Sequence, residues 1–434
     1  MSDFSVQPNI LIVLADDHQK NAIGPVYGGR TVTPNLDQLI KRGTLFEQTH
    51  IMGGLIPAVC SPSRACILTG HNPFNSSNSG LGGLETDFVE IKDSIPTLPE
   101  WFRSHNYETH IAGKWHNDIP ALLRSFEKGT HVFNGGMCNH DAVPLSTLEN
   151  LAKDESPRFE NGYSTELFAQ STRDFLQSRN RNKPFFAWLS LTSPHDPRTP
   201  HPDFKEWYDP DHIHLPENFL TEHPFDNGEL HIRDEKLLSK PLDPSEVRQE
   251  IANYYAMISH HDSEIGKVFE TLKRCGDLDN TILVYLSDHG LALGQHGLLG
   301  KQNLYEHSVS VPMIMAGPGV PKNTIHQGLM YSLDLFPLLC KFSRLKTPDL
   351  LDSLPIHQSG IPDTFFKRDS IFAFYKDIQR MVSDGRWKLI AYSVNAQIRY
   401  QLFDLKKDPL ELINLVDRKE YAGELSRLKK LLNH

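Results

Sequence analysis

Several short runs of this chain are apolar at nearly every position, and each ends on charged or hydrogen-bonding residues. Residues 9–15 read NILIVLA and lead into Asp16-Asp17. Residues 184–191 read PFFAWLSL and lead into Ser193-Pro194-His195-Asp196. Residues 281–286 read TILVYL and lead into Ser287-Asp288-His289-Gly290. A strand with one wet face alternates apolar and polar residues. An unbroken apolar run belongs to a strand covered on both faces, as in a parallel sheet between helices. Residues 108–113 (ETHIAG) predict another strand, leading into Lys114-Trp115-His116, and residues 311–316 a further one.

Helical patterns lie between these runs. Residues 36–42 predict a short helix with Gly43 at its end. Residues 164–179 carry Phe168, Phe175 and Leu176 on one side. A long helix starts at Asp243 as N-cap, with Pro244 in the first turn and Glu246 completing a capping-box pattern. Val247, Ile251, Tyr254, Ile258, Ile265, Phe269 and Leu272 mark its buried side, and Gly276 ends it. Strands alternating with helices predict an α/β fold with a mostly parallel central sheet flanked by helices. Residues 197–243 lack periodicity and read as a long excursion over one face.

The pattern changes after about residue 345. Residues 371–375, 379–383, 386–392 and 400–405 read as short strands, with Asp384-Gly385 as a hairpin turn and 421–432 as a terminal amphipathic helix. The expected division is therefore 1–345 for the main domain and 346–434 for a small antiparallel-sheet subdomain.

The 434 residues carry a formal net charge of −10 and no long basic run, which argues against nucleic acid as a partner. Any site for an anion must then be built locally. No apolar run reaches the roughly 18 residues a membrane-spanning helix needs, so no membrane association is expected. The five cysteines, Cys60, Cys66, Cys138, Cys275 and Cys340, suggest neither a disulfide framework nor a zinc site. With no signal-peptide pattern in residues 1–8, a cytoplasmic location is expected; a periplasmic chain trimmed of its leader would look the same.

In an open α/β sheet, ligands bind outside the carboxyl ends of the strands. Here those ends deliver Asp16, Asp17, Lys114, His116, His195, Asp288 and His289. Singly, each reads as a cap or a structural histidine. Together they read as a hard-cation site with an anionic ligand. His260-His261-Asp262 diverge around a helix and read as packing or surface groups. His71 is unassigned.

The most specific feature is Cys60-Ser61-Pro62-Ser63-Arg64, continued by Ala65-Cys66-Ile67-Leu68-Thr69-Gly70. This resembles the type I sulfatase signature, C-x-P-x-R, in which the cysteine is oxidised to formylglycine. Gly113-Lys114-Trp115-His116 is similar to that family's second signature. Asp16-Asp17 and Asp288-His289 match its metal pairs, with His289 where many members have Asn. Residues 402–405 (LFDL), Asp408-Pro409, Glu411 and Asn414-Leu415 resemble its architectural C-terminal element.

The resemblance implies an alkaline phosphatase-like fold and hydrolysis of a sulfate ester. It implies a cation, Ca2+ or else Mg2+, held by Asp16, Asp17, Cys60, Asp288 and His289. It also implies a formylglycine-generating or anaerobic sulfatase-maturating enzyme as partner. An aldehyde hydrate offers one hydroxyl to attack sulfur and a second through which sulfate is expelled. His116 is the implied base for that expulsion. Arg64 is implied to hold the hydrate, and Lys114 and Lys301 to stabilise the sulfuryl oxygens. His195 and Lys301 are both open as the acid that protonates the leaving oxygen. Asp196, Arg198 and His201 are candidates for contact with the rest of a substrate.

A sulfated saccharide, such as one derived from a glycosaminoglycan, is the leading substrate class. Choline sulfate and aryl sulfates stay open. So does phosphonate monoester or phosphodiester hydrolysis, since some of those enzymes share C-x-P-x-R. A degenerate glycan-binding relative would have lost the motif. A metal phosphomutase would need Ser or Thr in place of Cys60.

Overall fold

The computed structural model describes residues 7–24, 29–78, 88–349, 351–353 and 368–433. Of the N-terminal segment read above, residues 1–6 lie outside the described residues. The strands that matter here are β1 (Asn9–Ala15), β2 (Gly43–Phe46), β3 (Gly53–Gly54), β4 (Glu108–Lys114), β5 (Lys128–Phe133), β6 (Phe185–Ser190), β7 (Thr281–Ser287), β8 (Met313–Ala316), β9 (Thr324–His326), β10 (Ile371–Tyr375), β11 (Gln379–Ser383), β12 (Trp387–Val394) and β13 (Gln397–Asp404). The main helices are α1 (Pro34–Arg42), α2 (Cys60–Thr69), α3 (Ser164–Ser178), α4 (Pro244–Arg274) and α5 (Ala422–Leu432).

The central sheet has the order β9-β2-β8-β7-β1-β6-β4-β5. β7, β1, β6, β4 and β5 are mutually parallel. β8 runs antiparallel to both β7 and β2. The expected mostly parallel sheet is therefore present, with the run after residue 311 entering in reverse.

Both faces of β1 are buried, as its composition requires. Ile10, Ile12 and Leu14 join Trp188, Val284 and the α2 residues Ala65, Ile67 and Leu68. Leu11, Val13 and Ala15 join Leu36 and Leu39 of α1, Phe168 and Leu176 of α3, and Ile265 and Val268 of α4. Each such side chain contributes about 1.5–3 kcal/mol by leaving water, so α2 is held firmly against the sheet. The register aligns the strand ends: Ala15 lies beside Ser287, and Gly113 beside Ser190.

Asp243 caps α4 by accepting from the backbone N–H of Ser245 and Glu246. The excursion over residues 197–243 is packed: Tyr208, Ile213 and Leu242 are buried with Val247, Ile251 and Tyr254 of α4. The second sheet has the order β13-β12-β11-β10-β3, antiparallel except that β3 joins parallel to β10. α5 covers it through Leu428, against Val382, Trp387, Leu389 and Leu402. β3 lies just upstream of α2, so the C-terminal sheet also fixes the approach to Cys60. No helix among the described residues is long and apolar enough to cross a membrane.

Candidate active site

Cys60 begins α2, and all ten residues of that helix are buried. Pro62 sits in the first turn, where a helix needs no N–H from it. It packs on Gly54, where an added Cβ would lie 2.5 Å from Pro62 Cγ. Ser61 Oγ accepts from Val89 N, and Ser63 Oγ donates to Asp288 O at 2.6 Å. Arg64 points from the helix to the strand ends. Its Nε donates to Asp288 Oδ2 at 2.7 Å, and its Nη1 to Lys114 O and Ser190 Oγ. Its Nη2 lies 4.0 Å from Asp16 Oδ1, and both of those atoms are buried without a hydrogen-bond partner.

Asp16, Asp17, Cys60 and His195 converge: one potential ligand atom from each lies within 4.8 Å of the others. Asp288 adjoins this group, accepting from Asp17 N at 3.2 Å. Asp17 holds φ at +66° and His116 at +63°, a region most side chains avoid, so the fold imposes both turns. Burial opposes ionisation of Asp16, but Lys114 Nζ at 2.5 Å, the chief positive charge beside it, holds its carboxyl well below the ordinary range. Burial, helped by the charge of Asp16, pushes Asp17 and Asp288 up to about 6.

Lys301 Nζ donates to both oxygens of Asp17 at 2.8 Å and to Cys60 Sγ at 2.7 Å. Burial disfavours its charge, yet Asp17, Cys60 and Asp16 keep it protonated. Burial also drives the Cys60 thiol well above its ordinary value, so an unmodified cysteine here is a poor nucleophile. Three crowded carboxylates and the unpartnered Asp16 Oδ1 fit a hard divalent cation.

Of the histidines, His116 is only 2% exposed and neither ring nitrogen has a partner. Burial, then Lys114 and Arg64, keeps it neutral. His195 directs Nδ1 to Asp196 O at 2.7 Å and Nε2 toward Asp17 Oδ2 at 3.5 Å. His289 directs Nδ1 to Gly290 O at 2.5 Å, and burial lowers it to about 3, leaving a neutral ring; it is not among the four residues whose ligand atoms converge.

Two of the substrate candidates are engaged elsewhere. Arg198 pairs with Glu250 at 2.5 Å over the Tyr254 ring. His201 caps the helix Pro202–Lys205 by accepting from Asp203 N. Asp196 does border a cavity of about 510 Å3, lined also by Met137, Cys138, Phe159 and Arg233. A larger cavity of about 610 Å3 lies elsewhere, between Lys20, Tyr255, Glu306 and Glu411. His260, His261 and Asp262 are buried: Asp262 accepts from Asn35 N and Leu36 N at the start of α1, and His261 bonds Tyr285 and Ser193.

Sequence reasoning missed Ser190, which receives Arg64, and Tyr254, whose hydroxyl donates to Asp17 O. It also missed Gly136, whose carbonyl accepts from Lys114 Nζ at 2.6 Å. It passed over Arg233 and Asp234 as well. An isolated polar residue in an aperiodic segment carries no signal of such contacts.

Buried cations and carboxylates converging at the carboxyl end of a parallel sheet, around a group at a helix start, define a hydrolase of anionic esters. The model named Sulfatase matches residues 8–342, and one named N-sulphoglucosamine sulphohydrolase, C-terminal, matches 294–434. The chain belongs to the sulfatase family and is a sulfuric ester hydrolase. An N-acetylglucosamine-6-O-sulfatase of Bacteroides thetaiotaomicron is 25% identical, over 98% of this chain and 86% of its own. A choline-sulfatase of Rhizobium meliloti is 28% identical, over 95% of this chain and 83% of its own. A solved structure described as a complex with its substrate D-glucosamine-2-N,6-O-disulfate matches with a TM-score of 0.81 at 23% identity, covering 99% of this chain and 97% of the other. The phosphonate monoester hydrolase of Agrobacterium radiobacter matches with a TM-score of 0.76 at 20% identity, covering 98% and 95%. The fold is alkaline phosphatase-like.

Proposed function

We propose that this sulfatase removes sulfate from a saccharide, using residue 60 as formylglycine and one divalent cation, Ca2+ or else Mg2+. The observation that carries the reading is the meeting of Cys60 with Asp16, Asp17 and His195 at one buried point. Asp16, Asp17 and Asp288 would hold the cation, with His289 and residue 60 completing the donors. When bound, it supplies Lewis acidity toward the nucleophile and the sulfuryl oxygens. A maturation enzyme would oxidise Cys60, and the resulting aldehyde supplies a geminal-diol nucleophile.

The chain's own groups do the rest. Lys114 and Lys301 offset charge on the sulfuryl oxygens, and Arg64 fixes Asp288 against the strand ends. His116, neutral and unpartnered, accepts a proton as sulfate departs. His195 and Lys301 stand ready to protonate the leaving oxygen. His195 rests neutral because burial and Lys301 disfavour its charge, and an arriving sulfate would restore its proton. Lys301 carries its proton already.

A saccharide substrate is supported by the relatives named for N-acetylglucosamine sulfates and by the fold shared with the glucosamine disulfate complex. Phosphonate monoester hydrolysis is the second reading, because that fold and overall coverage are shared with such an enzyme. The test compares kcat/KM on defined sulfated hexosamines and uronates, aryl sulfate, choline sulfate and an aryl phosphonate monoester. A sulfated saccharide should lead. Chelation should abolish turnover and calcium or magnesium should restore it, whereas Asp17→Ala should lose bound metal and activity together. Preference for the phosphonate, or full activity without metal, would overturn the reading.

A further inference from the structure

His195 and Lys301 reach the site from different loops, after β6 and after β7, and a chain of hydrogen bonds and ion pairs joins the His195 ring to the Lys301 backbone. His195 Nδ1 meets Asp196, through its carbonyl at 2.7 Å and its carboxylate at 3.4 Å. The Asp196 carboxylate takes a two-pronged grip from Arg233, with Nη1 at 2.5 Å and Nη2 at 3.1 Å. Arg233 also donates from Nε and Nη2 to Asp234 Oδ1, at 3.0 and 2.7 Å. Asp234 Oδ2 accepts from Gln302 Nε2 at 2.8 Å, and Gln302 Oε1 accepts from Lys301 N at 3.0 Å. The next residue, Glu235, accepts from Leu299 N and Gly300 N on the same loop. Asp196, Asp234, Glu235 and Gln302 are all buried.

We propose that Arg233 and Asp234 are positioning residues, which hold His195 and Lys301 at a fixed separation on the leaving-group side of the site. The inference rests on the reading of those two groups as the leaving-group pair, whichever of them delivers the proton. Arg233 is half-exposed, but two carboxylates take its Nε, its Nη2 and one Nη1 hydrogen, and Nη1 also meets Met137 Sδ at 2.7 Å, so its fork is committed to this network. A bidentate guanidinium–carboxylate pair fixes direction as well as distance, which a loop cannot do by itself. Proton delivery needs the donor within hydrogen-bond reach of the leaving oxygen, so a misplacement of about 1 Å is felt in rate. Its effect must scale with how much the leaving alcohol needs a proton. A residue that served only the general shape of the site would slow all substrates alike.

The experiment measures kcat/KM of the matured full chain on aryl sulfates whose phenols span a wide range of acidity. Arg233→Ala should lose about tenfold or more on the least acidic phenol and less than about threefold on the most acidic, steepening the leaving-group dependence. Arg233→Lys should recover part of the loss on the poor leaving group. Adding Arg233→Ala to His195→Ala should steepen the dependence less than it does in the wild-type background. Asp234→Asn must turn its NH2 toward the donors of either Arg233 or Gln302 and should steepen it in the same sense; with Arg233→Lys it carries the test if Arg233→Ala does not fold. A uniform loss across the series, or none, in folded variants would overturn the positioning role while leaving the leaving-group reading intact. If neither His195→Ala nor Lys301→Ala changes the dependence, that reading falls and the inference falls with it.

Discussion

Arg64 sends one guanidinium from the Cys60 helix to the ends of β4, β6 and β7, and Lys301 closes on Cys60 from the opposite loop. The thiol between them is disfavoured as a thiolate, because burial outweighs the two nearby lysines. A working residue 60 should therefore not be cysteine. Mass spectrometry of the peptide spanning residue 60 from active protein should show loss of sulfur and gain of a carbonyl oxygen. Full turnover by protein holding only unmodified cysteine would refute this. The residues of this centre were legible because strand ends and the C-S-P-S-R motif mark them locally. Arg233 and Asp234 were not, because their partners lie 37 and 68 positions away and the segment around them has no period to break.

Elements were readable where a run was long enough to show its pattern; β2, buried at all four positions, was too short to be read. β1, β6 and β7 are covered on both faces, and their composition says so. β5 alternates exposed and buried positions irregularly and β9 is three residues long, so neither leaves a mark strong enough to find. β3 is two glycines whose role exists only through β10, more than three hundred residues later. Besides β3, a buried cation ties the C-terminal sheet to the catalytic side. Lys388 of β12 donates to Glu306 at 2.8 Å and lies 2.8 Å from Glu411; Lys388 stays protonated and holds Glu306 ionised, while burial raises Glu411 to about 7. Glu306 opens the short helix Glu306–Val309 that follows Lys301, and its backbone N–H donates to Glu411. Lys388→Met removes the shared partner and leaves two carboxylates facing each other. It should destabilise by about 3–5 kcal/mol, the usual effect of orphaning a buried charge, read as a lower urea midpoint. A change within about 0.5 kcal/mol would mean that the network does not couple the two sheets.

At the scale of the whole molecule, the net charge of −10 hides a basic interior that is mostly neutral histidine. Burial lowers His18, His110, His260, His289 and His296 to about 3, and His140 and His223 to about 4. In the unfolded chain these rings protonate near 6.5. Between about 6.5 and those depressed values the unfolded state binds more protons, so stability falls as pH falls. Each ring forfeits up to about 1.4 kcal/mol per pH unit through this window. Asp17, Asp262 and Asp288, raised by burial to about 6, and Glu411, raised to about 7, act in the opposite sense: they hold protons in the folded state that the unfolded state has released. They are fewer, and a bound cation keeps Asp17 and Asp288 ionised, which removes their opposition. With saturating calcium the melting temperature should therefore drop steeply from pH 7.5 to about 5.5. His110 gives a clean check, since it stacks on Phe175 with centroids 4.3 Å apart, on the strand leading to the site but four residues short of Lys114. His110→Phe removes one titrating ring and should flatten the dependence of unfolding free energy on pH by about one proton. Calorimetry or urea unfolding across that range reads both slopes. A stability that is level or rising on acidification, or a His110→Phe slope equal to wild type, would mean these histidines are not held neutral by the fold.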